Sequence, residues 1–165
     1  LMKKIVISVL SVVLLLSTNS CKDYLEVDQL MQQLHKLHVK GRPDLYVDLQ
    51  HPYSLENFRQ KVESAEHILL LAEENGKILG ICFVAMRERS MMVNQRTAYM
   101  DDLFVCEEVR RQGIATKLFK DAEKKAVALG AKRLDLMVWD FNQSAIGFYK
   151  SLGMTEQRYI FEKEL

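Results

Sequence analysis

The 165-residue chain predicts an α/β fold: a mixed, mostly antiparallel sheet with a parallel strand-helix-strand crossover flanked by helices. Three observations carry this expectation. Apolar residues recur first at helical spacing. They then gather into short runs parted by a turn dipeptide. Finally the pattern passes from strand period to helix period and back.

In chain order, Leu25, Val27, Leu30, Met31, Leu34 and Leu37 line one face of a helix to about Val39. Gly41-Arg42-Pro43-Asp44 ends it, because proline has no N–H and pushes the residue before it out of helical geometry. Ser54, followed by Asn57 and Phe58, predicts the capped start of a shorter helix to about Ala65. His67–Glu73 reads as an apolar strand and Lys77–Arg87 as its return. Asn75-Gly76 joins them, the pair favoured where both turn residues take positive φ. Ser90–Arg96 is a polar loop, and Thr97–Val105 is a third strand that completes an antiparallel meander. Beyond Arg110, the residues Ile114, Ala115, Leu118, Phe119, Ala122, Ala126 and Leu129 mark a helix face closed by Gly130. Arg133–Trp139 alternates, with Leu134, Leu136 and Val138 on one side, so strand, helix and strand imply a parallel crossover. Asn142 can cap a last helix through Lys150, closed by Gly153, and Tyr159–Phe161 begins a final strand.

Composition narrows the function. Hydrophobic residues make up 48% of the chain, enough for a real core and against a disordered tail. Without residues 1–21, which contain Lys3 and Lys4, 21 basic residues face 22 acidic ones. A body so near neutrality gives no broad footprint for nucleic acid, so any anion is bound locally. Cys21, Cys82 and Cys106 are odd in number and far apart, which argues against a disulfide framework and a zinc site. Cys82 and Cys106 read as small core residues. His35, His38, His51 and His67 form no metal-type constellation, and no metal is expected.

The first residues admit two readings. Lys3 and Lys4 precede the apolar run Ile5–Leu16, then small polar residues and Cys21, which is the form of a secretory leader too short to span a bilayer. Small residues before a cysteine also resemble a bacterial lipoprotein cleavage site, although Thr18-Asn19 stands where Leu and a small residue are usual. Cys21-Lys22-Asp23-Tyr24-Leu25 resembles the mature start of SusD-like nutrient-binding lipoproteins. Alternatively, Val- and Ile-rich Lys4–Val13 is a buried first strand. The sequence leans slightly to the leader. Residues 1–21 are thus a leader-like segment or first strand, and 22–165 a single domain.

The chemistry concentrates at Glu107–Gln112, where a strand leads into a helix N-terminus. Unpaired backbone N–H groups converge there and bind phosphate without needing side-chain charge. Gly113 lets an anion approach the backbone, and Arg110 and Arg111 can add charge-assisted hydrogen bonds. A surface turn in which these arginines pair with Glu107 and Glu108 is the plainer alternative.

Arg110-Arg111-Gln112-Gly113-Ile114-Ala115 fits the pattern Arg or Gln, two residues, Gly, one residue, Gly or Ala. About thirty residues on follow Asn142-Gln143-Ser144-Ala145-Ile146-Gly147-Phe148-Tyr149 and then Gly153-Met154. With these two signatures in order, residues 97–154 resemble the core of the GNAT family of N-acetyltransferases. Ala115 stands where glycine is common and Met154 where Phe is common.

The resemblance implies an acyl-CoA N-acyltransferase-like fold and acetyl-CoA as donor. Its pyrophosphate would lie on the backbone of Arg111, Gln112, Gly113, Ile114, Ala115 and Thr116, with Arg110 alongside. Its pantetheine arm would pair with the backbone of Leu103, Phe104 and Val105, steadied by Asn142. A primary amine of a small molecule or peptide would attack directly. Tyr149 matches the family's general acid. The amine must lose a proton to a base or a water chain, and of Asp101 and Asp102, on opposite faces of their strand, one should face the cleft. Asp101, placed by alternation on the face of Leu103 and Val105, matches an acidic position used by polyamine-type members and is the favoured base; a structural role for it is the alternative. Acceptor contacts would come from the first helix, the Arg42–Tyr53 loop and the Ser90–Arg96 loop. Trp139 and Phe141 would wall the cleft, a core role for Trp139 being the alternative.

Dependence on acetyl-CoA implies a cytoplasmic protein, membrane contact only if the leader is a lipoprotein signal, and leaves a homodimer open. The rival functions are an exported ligand-binding protein anchored at Cys21 and an acyl-CoA sensor without turnover.

Overall fold

The structure, a computed structural model, describes residues 6–9, 19–91, 93 and 96–165. Among them run β1 (Val6–Val9), α1 (Asn19–Gly41), α2 (Leu55–Glu63), β2 (His67–Glu74), β3 (Lys77–Glu88), β4 (Arg96–Val105), α3 (Ile114–Ala128), β5 (Arg133–Leu136) and α4 (Gln143–Ser151). The strands form one sheet in the order β1-β2-β3-β4-β5. Pairing is antiparallel from β1 to β4 and parallel between β4 and β5, the meander and crossover expected. Part of the leader-like run stands in the sheet: Val6 pairs with Glu73 and Val9 with Leu70 at its outer edge. Residues 10–18 of that run lie outside the described residues, and Cys21 falls within α1.

Local chemistry sets the boundaries. The Ser54 hydroxyl accepts the Asn57 N–H at 3.1 Å and starts α2. Asn75 and Gly76 take φ of 53° and 75°, as a tight right-twisted hairpin requires. α3 stops where Gly130 turns to φ 89°.

Alternation along the strands makes two cores. Leu70, Cys82, Val84, Ala98 and Met100 face α3, whose Leu118, Phe119 and Ala122 cover them. Leu69, Leu71, Ile81 and Phe83 face α1 and α2, meeting Val27, Leu30, Met31 and Phe58. In β4 the alternation breaks. Val84 pairs with Met100 and Phe83 with Asp102, which leaves Asp101 as the extra residue of a β-bulge. Beyond it, Leu103 and Val105 pack on the α3 core while Phe104 packs on the α1–α2 core.

Two expectations are corrected. β5 ends at Leu136 rather than Trp139, because β4 departs at its bulge just after Met100, the last residue to pair with it. Tyr159–Phe161 forms no strand. These residues are 83%, 74% and 91% exposed. Among the described residues their segment is held by side chains, Gln157 Nε2 donating to Asp135 Oδ1 at 3.3 Å, Arg42 pairing with Glu162 at 2.8 Å and Lys150 with Glu156 at 2.7 Å. β propensity without a packed face does not make a strand.

Candidate active site

A pocket of about 700 Å³ opens where β4 and β5 part, between the α1–α2 layer and the start of α4. Side chains line it, and past Leu103 the end of β4 leads out of it to a separate backbone feature.

That feature is a nest of backbone N–H groups outside the pocket's lining. The 3-10 turn Glu107–Val109 leads to Arg111 at φ 63° and Gly113 at φ 80°. Alternating left-handed residues turn successive N–H groups toward one side, the geometry of an anion nest. Among the described residues, the N–H groups of Arg111, Gln112, Gly113, Ile114, Ala115 and Thr116 find no acceptor; the first bond of α3 is Lys117 N to Gly113 O at 3.0 Å. A Cβ on Gly113 would meet open space, so the position calls for glycine through its φ alone. Arg111 is exposed and unpaired among the described residues. Arg110 does not pair with Glu107 or Glu108: its Nε donates to Val105 O at 3.1 Å, and its guanidinium lies 5.6 Å from the Phe104 ring centroid. Because pairing with β5 stops at Met100, the β4 edge at Leu103, Phe104 and Val105 has no strand beside it among the described residues. Asn142 caps α4, its Oδ1 accepting the Ala145 N–H at 3.2 Å, and it also lines the pocket.

The pocket itself is lined by side chains from distant segments. Residues 42–53 are fastened to α1 by His51 Nδ1 on Asp28 Oδ2 (2.8 Å), by His35 Nε2 on Val47 O (2.7 Å), and by the Tyr24 hydroxyl donating to Tyr53 O (3.2 Å). Trp139 walls the cleft, one of its two expected places: its Nε1 donates to the Tyr46 hydroxyl at 3.0 Å, and Phe141 stacks on it with 12° between planes. Phe141 in turn presses on Gly41, where a Cβ would clash with the outer carbons of its ring, Cζ, Cε1 and Cε2.

The bulge corrects the position of Asp101. Strict alternation would set it with Leu103 and Val105, away from Asp102. The extra residue instead brings both carboxylates to the α1–α2 side, and both line the pocket. Their surroundings differ. Asp101 meets Arg87 Nη2 at 3.0 Å and Lys61 Nζ at 3.6 Å. Asp102 accepts the Tyr53 hydroxyl at 2.9 Å, and burial pushes its carboxyl up to about 6. Tyr149 packs against Phe119 and Phe148, and its hydroxyl has no hydrogen-bond partner among the described residues. Burial, with Cys82 and Asp102 nearby, raises its phenol above the usual range. Cys82 and Cys106 are buried and free.

Sequence reasoning missed Lys61 and Arg87, and it placed Tyr53 in an acceptor loop without pairing it with Asp102. Tyr53 lies 49 residues from Asp102, and no local pattern joins them. Among the described residues no group of histidine, cysteine and acidic side chains could hold a metal, and no helix is long and apolar enough to cross a membrane.

The profile of the acetyltransferase (GNAT) family matches residues 28–154. The uncharacterized N-acetyltransferase YhfO of Bacillus subtilis is 31% identical over 99 residues, 59% of this chain and 65% of that protein. The thialysine N-epsilon-acetyltransferase of Mus musculus is 38% identical over 58 residues, 35% of this chain; the match spans only 34% of that relative's length. Among solved structures, a single-site mutant of the BH1408 protein from Bacillus halodurans superposes with a TM-score of 0.85 at 28% identity, over 97% of this chain and 99% of that one. The aminoglycoside N-acetyltransferase AAC(6')-Iy in complex with CoA reaches 0.74 at 17% identity over 99% and 97%, a likeness of fold.

Proposed function

This chain belongs to the acetyltransferase (GNAT) family, and we propose that it moves an acetyl group from acetyl-CoA to a primary amine by direct attack. The observation that carries the reading is the row of six N–H groups, Arg111 to Thr116, without acceptors among the described residues, together with a stretch of β4 that pairs with β3 but has no strand on its other edge there. A diphosphate with an extended amide-bearing arm suits both features, so the residues fit the donor.

Acetyl-CoA, when bound, supplies an acetyl group activated as a thioester. The nest residues Arg111, Gln112, Gly113, Ile114, Ala115 and Thr116 hold its pyrophosphate. Arg111 adds charge at the rim, and Arg110 offers the N–H groups not given to Val105 O. The backbone of Leu103, Phe104 and Val105 aligns the arm, and an N–H of this edge serves the developing oxyanion. Asn142, its Oδ1 committed to the cap, offers Nδ2 from the opposite side.

Tyr149 gives a proton to the departing thiolate; its raised phenol keeps that proton available at neutral pH. Asp101 is the acid expected from sequence to take the amine's proton, yet two cations engage it. The role falls better to Asp102, which Tyr53 orients and whose carboxyl near 6 suits a base at neutral pH. The matched relatives are named for N-acetylation of thialysine and of aminoglycosides, which supports a nitrogen acceptor here.

Thermal unfolding with acetyl-CoA tests binding, since a ligand of the folded state raises Tm by mass action. Thiol release with a panel of amines tests transfer. Tyr149→Phe is expected to slow turnover by about a hundredfold while leaving the donor-induced Tm shift intact. No shift at saturating acetyl-CoA would overturn the reading.

A further inference from the structure

Resting on the transfer reading above, we propose that the acceptor amine also carries a carboxylate, which Arg87 and Lys61 receive. The pocket's full charges divide into two zones. Among the described residues lining it, the acids are Asp101 and Asp102 and the permanent cations are Lys61 and Arg87. Both cations gather on Asp101, leaving two positive charges against one negative. Asp102 takes its hydrogen bond from the neutral Tyr53, with Tyr149 nearby and Lys61 acting on it only through space, so the negative charge of the pocket lies at that end. The bulge makes this division, since it brings adjacent carboxylates to one side of the sheet and to different partners.

The positive zone has donors to spare. Asp101 takes one hydrogen bond from Arg87, at Nη2, and the other N–H groups of that guanidinium have no acceptor among the described residues. The guanidinium lies 3.6 Å from the Tyr99 ring centroid, which holds its plane while leaving its fork open. Lys61 Nζ, at 3.6 Å from Asp101, is beyond hydrogen-bond distance and faces the Tyr53 ring at 5.5 Å. Glu66 and Glu88 share Arg96 and keep one negative charge between them, but neither lines the pocket. His67, held below its usual range by burial and by Lys61, is neutral at pH 7 and leaves the balance unchanged. A polycation would bring charge against Lys61 and Arg87. An amine with a carboxylate presents its ammonium to Asp102 and its anion to the Arg87 fork, so each zone meets its complement.

The test is equilibrium binding, which does not depend on turnover. Calorimetry on the full chain with CoA present compares L-lysine with cadaverine and L-ornithine with putrescine, pairs that differ only by the carboxylate. The amino acid of each pair is expected to bind about tenfold tighter, the strength of a charge-assisted pair. Arg87→Gln should erase that difference while leaving the affinity for the diamine within about twofold. Lys61→Gln should narrow it in the same direction. Equal affinity within each pair, a preference for the diamine, no binding by any of the four, or an Arg87→Gln variant that weakens both members alike would overturn the proposal. A Tm rise with acetyl-CoA in the same preparation would then show that only the acceptor assignment had failed.

Discussion

The proposed donor and acceptor sides of the site are built by different means. The donor wall, the nest outside the pocket, is backbone: a left-handed pair of residues, a helix start without a capping side chain, and a strand edge left open. The acceptor wall is side chains drawn from α1, the 42–53 segment, α2 and the strands, each held by bonds between residues far apart in the chain. A wall of backbone tolerates many side chains and fixes one kind of ligand. A wall of side chains can be rewritten residue by residue without touching the fold. The difference explains why a family can keep its donor while changing its acceptors.

The largest break in this comparison is expected from Asp102→Asn. Loss of the proton acceptor should lower kcat by roughly a hundredfold or more and leave acetyl-CoA binding unchanged. In the unaltered protein turnover should rise with pH through about 6, where Asp102 loses its proton, and the variant should lack that limb in a pH–rate profile. Stability should move the other way. A carboxyl raised in the folded state contributes stability at low pH that is lost as pH climbs through about 6. The uncharged variant should therefore unfold a few degrees higher than the parent at pH 7.5 and no higher at pH 4.

Next in size is Gly113→Val, which attacks the donor wall through conformation. A branched residue at φ 80° costs on the order of 1 to 3 kcal/mol, so acetyl-CoA affinity should fall roughly tenfold to a hundredfold in titration calorimetry. Gly41→Ala probes the acceptor wall by packing. The added Cβ displaces Phe141 and should cost about 1 to 2 kcal/mol in denaturant unfolding, with the acceptor KM raised and the donor affinity kept. The smallest effect should come from Arg111→Gly. It removes an exposed charge but keeps the N–H and eases φ 63°, so donor affinity should drop by no more than about fivefold. A larger loss would move the weight of the phosphate site from backbone to side chain.

The same division governs what can be read from sequence. The hairpin at Asn75-Gly76, the Ser54 and Asn142 caps and the turn at Gly113 are each decided within a few residues, and each stands where its local chemistry puts it. The contacts Tyr53–Asp102 and Tyr46–Trp139 span 49 and 93 residues, and nothing local announces them. Tyr159–Phe161 misleads for the opposite reason: its residues favour a strand, yet nothing among the described residues covers their faces. The bulge is the costliest omission. Met100-Asp101-Asp102-Leu103 carries no glycine or proline to mark an extra residue, so simple alternation runs straight through it.

That extra residue separates folding from function more cleanly than any replacement could. If Asp101 were deleted, Met100 and Leu103 would still turn to α3, and Asp102 and Phe104 would still turn to α1 and α2, in unbroken alternation against β3. Both hydrophobic layers would be served by a strand one residue shorter. The insertion is thus dispensable to the core, and only the pocket has a use for it. Lineages that lost this codon would be expected to keep the architecture and surrender the site.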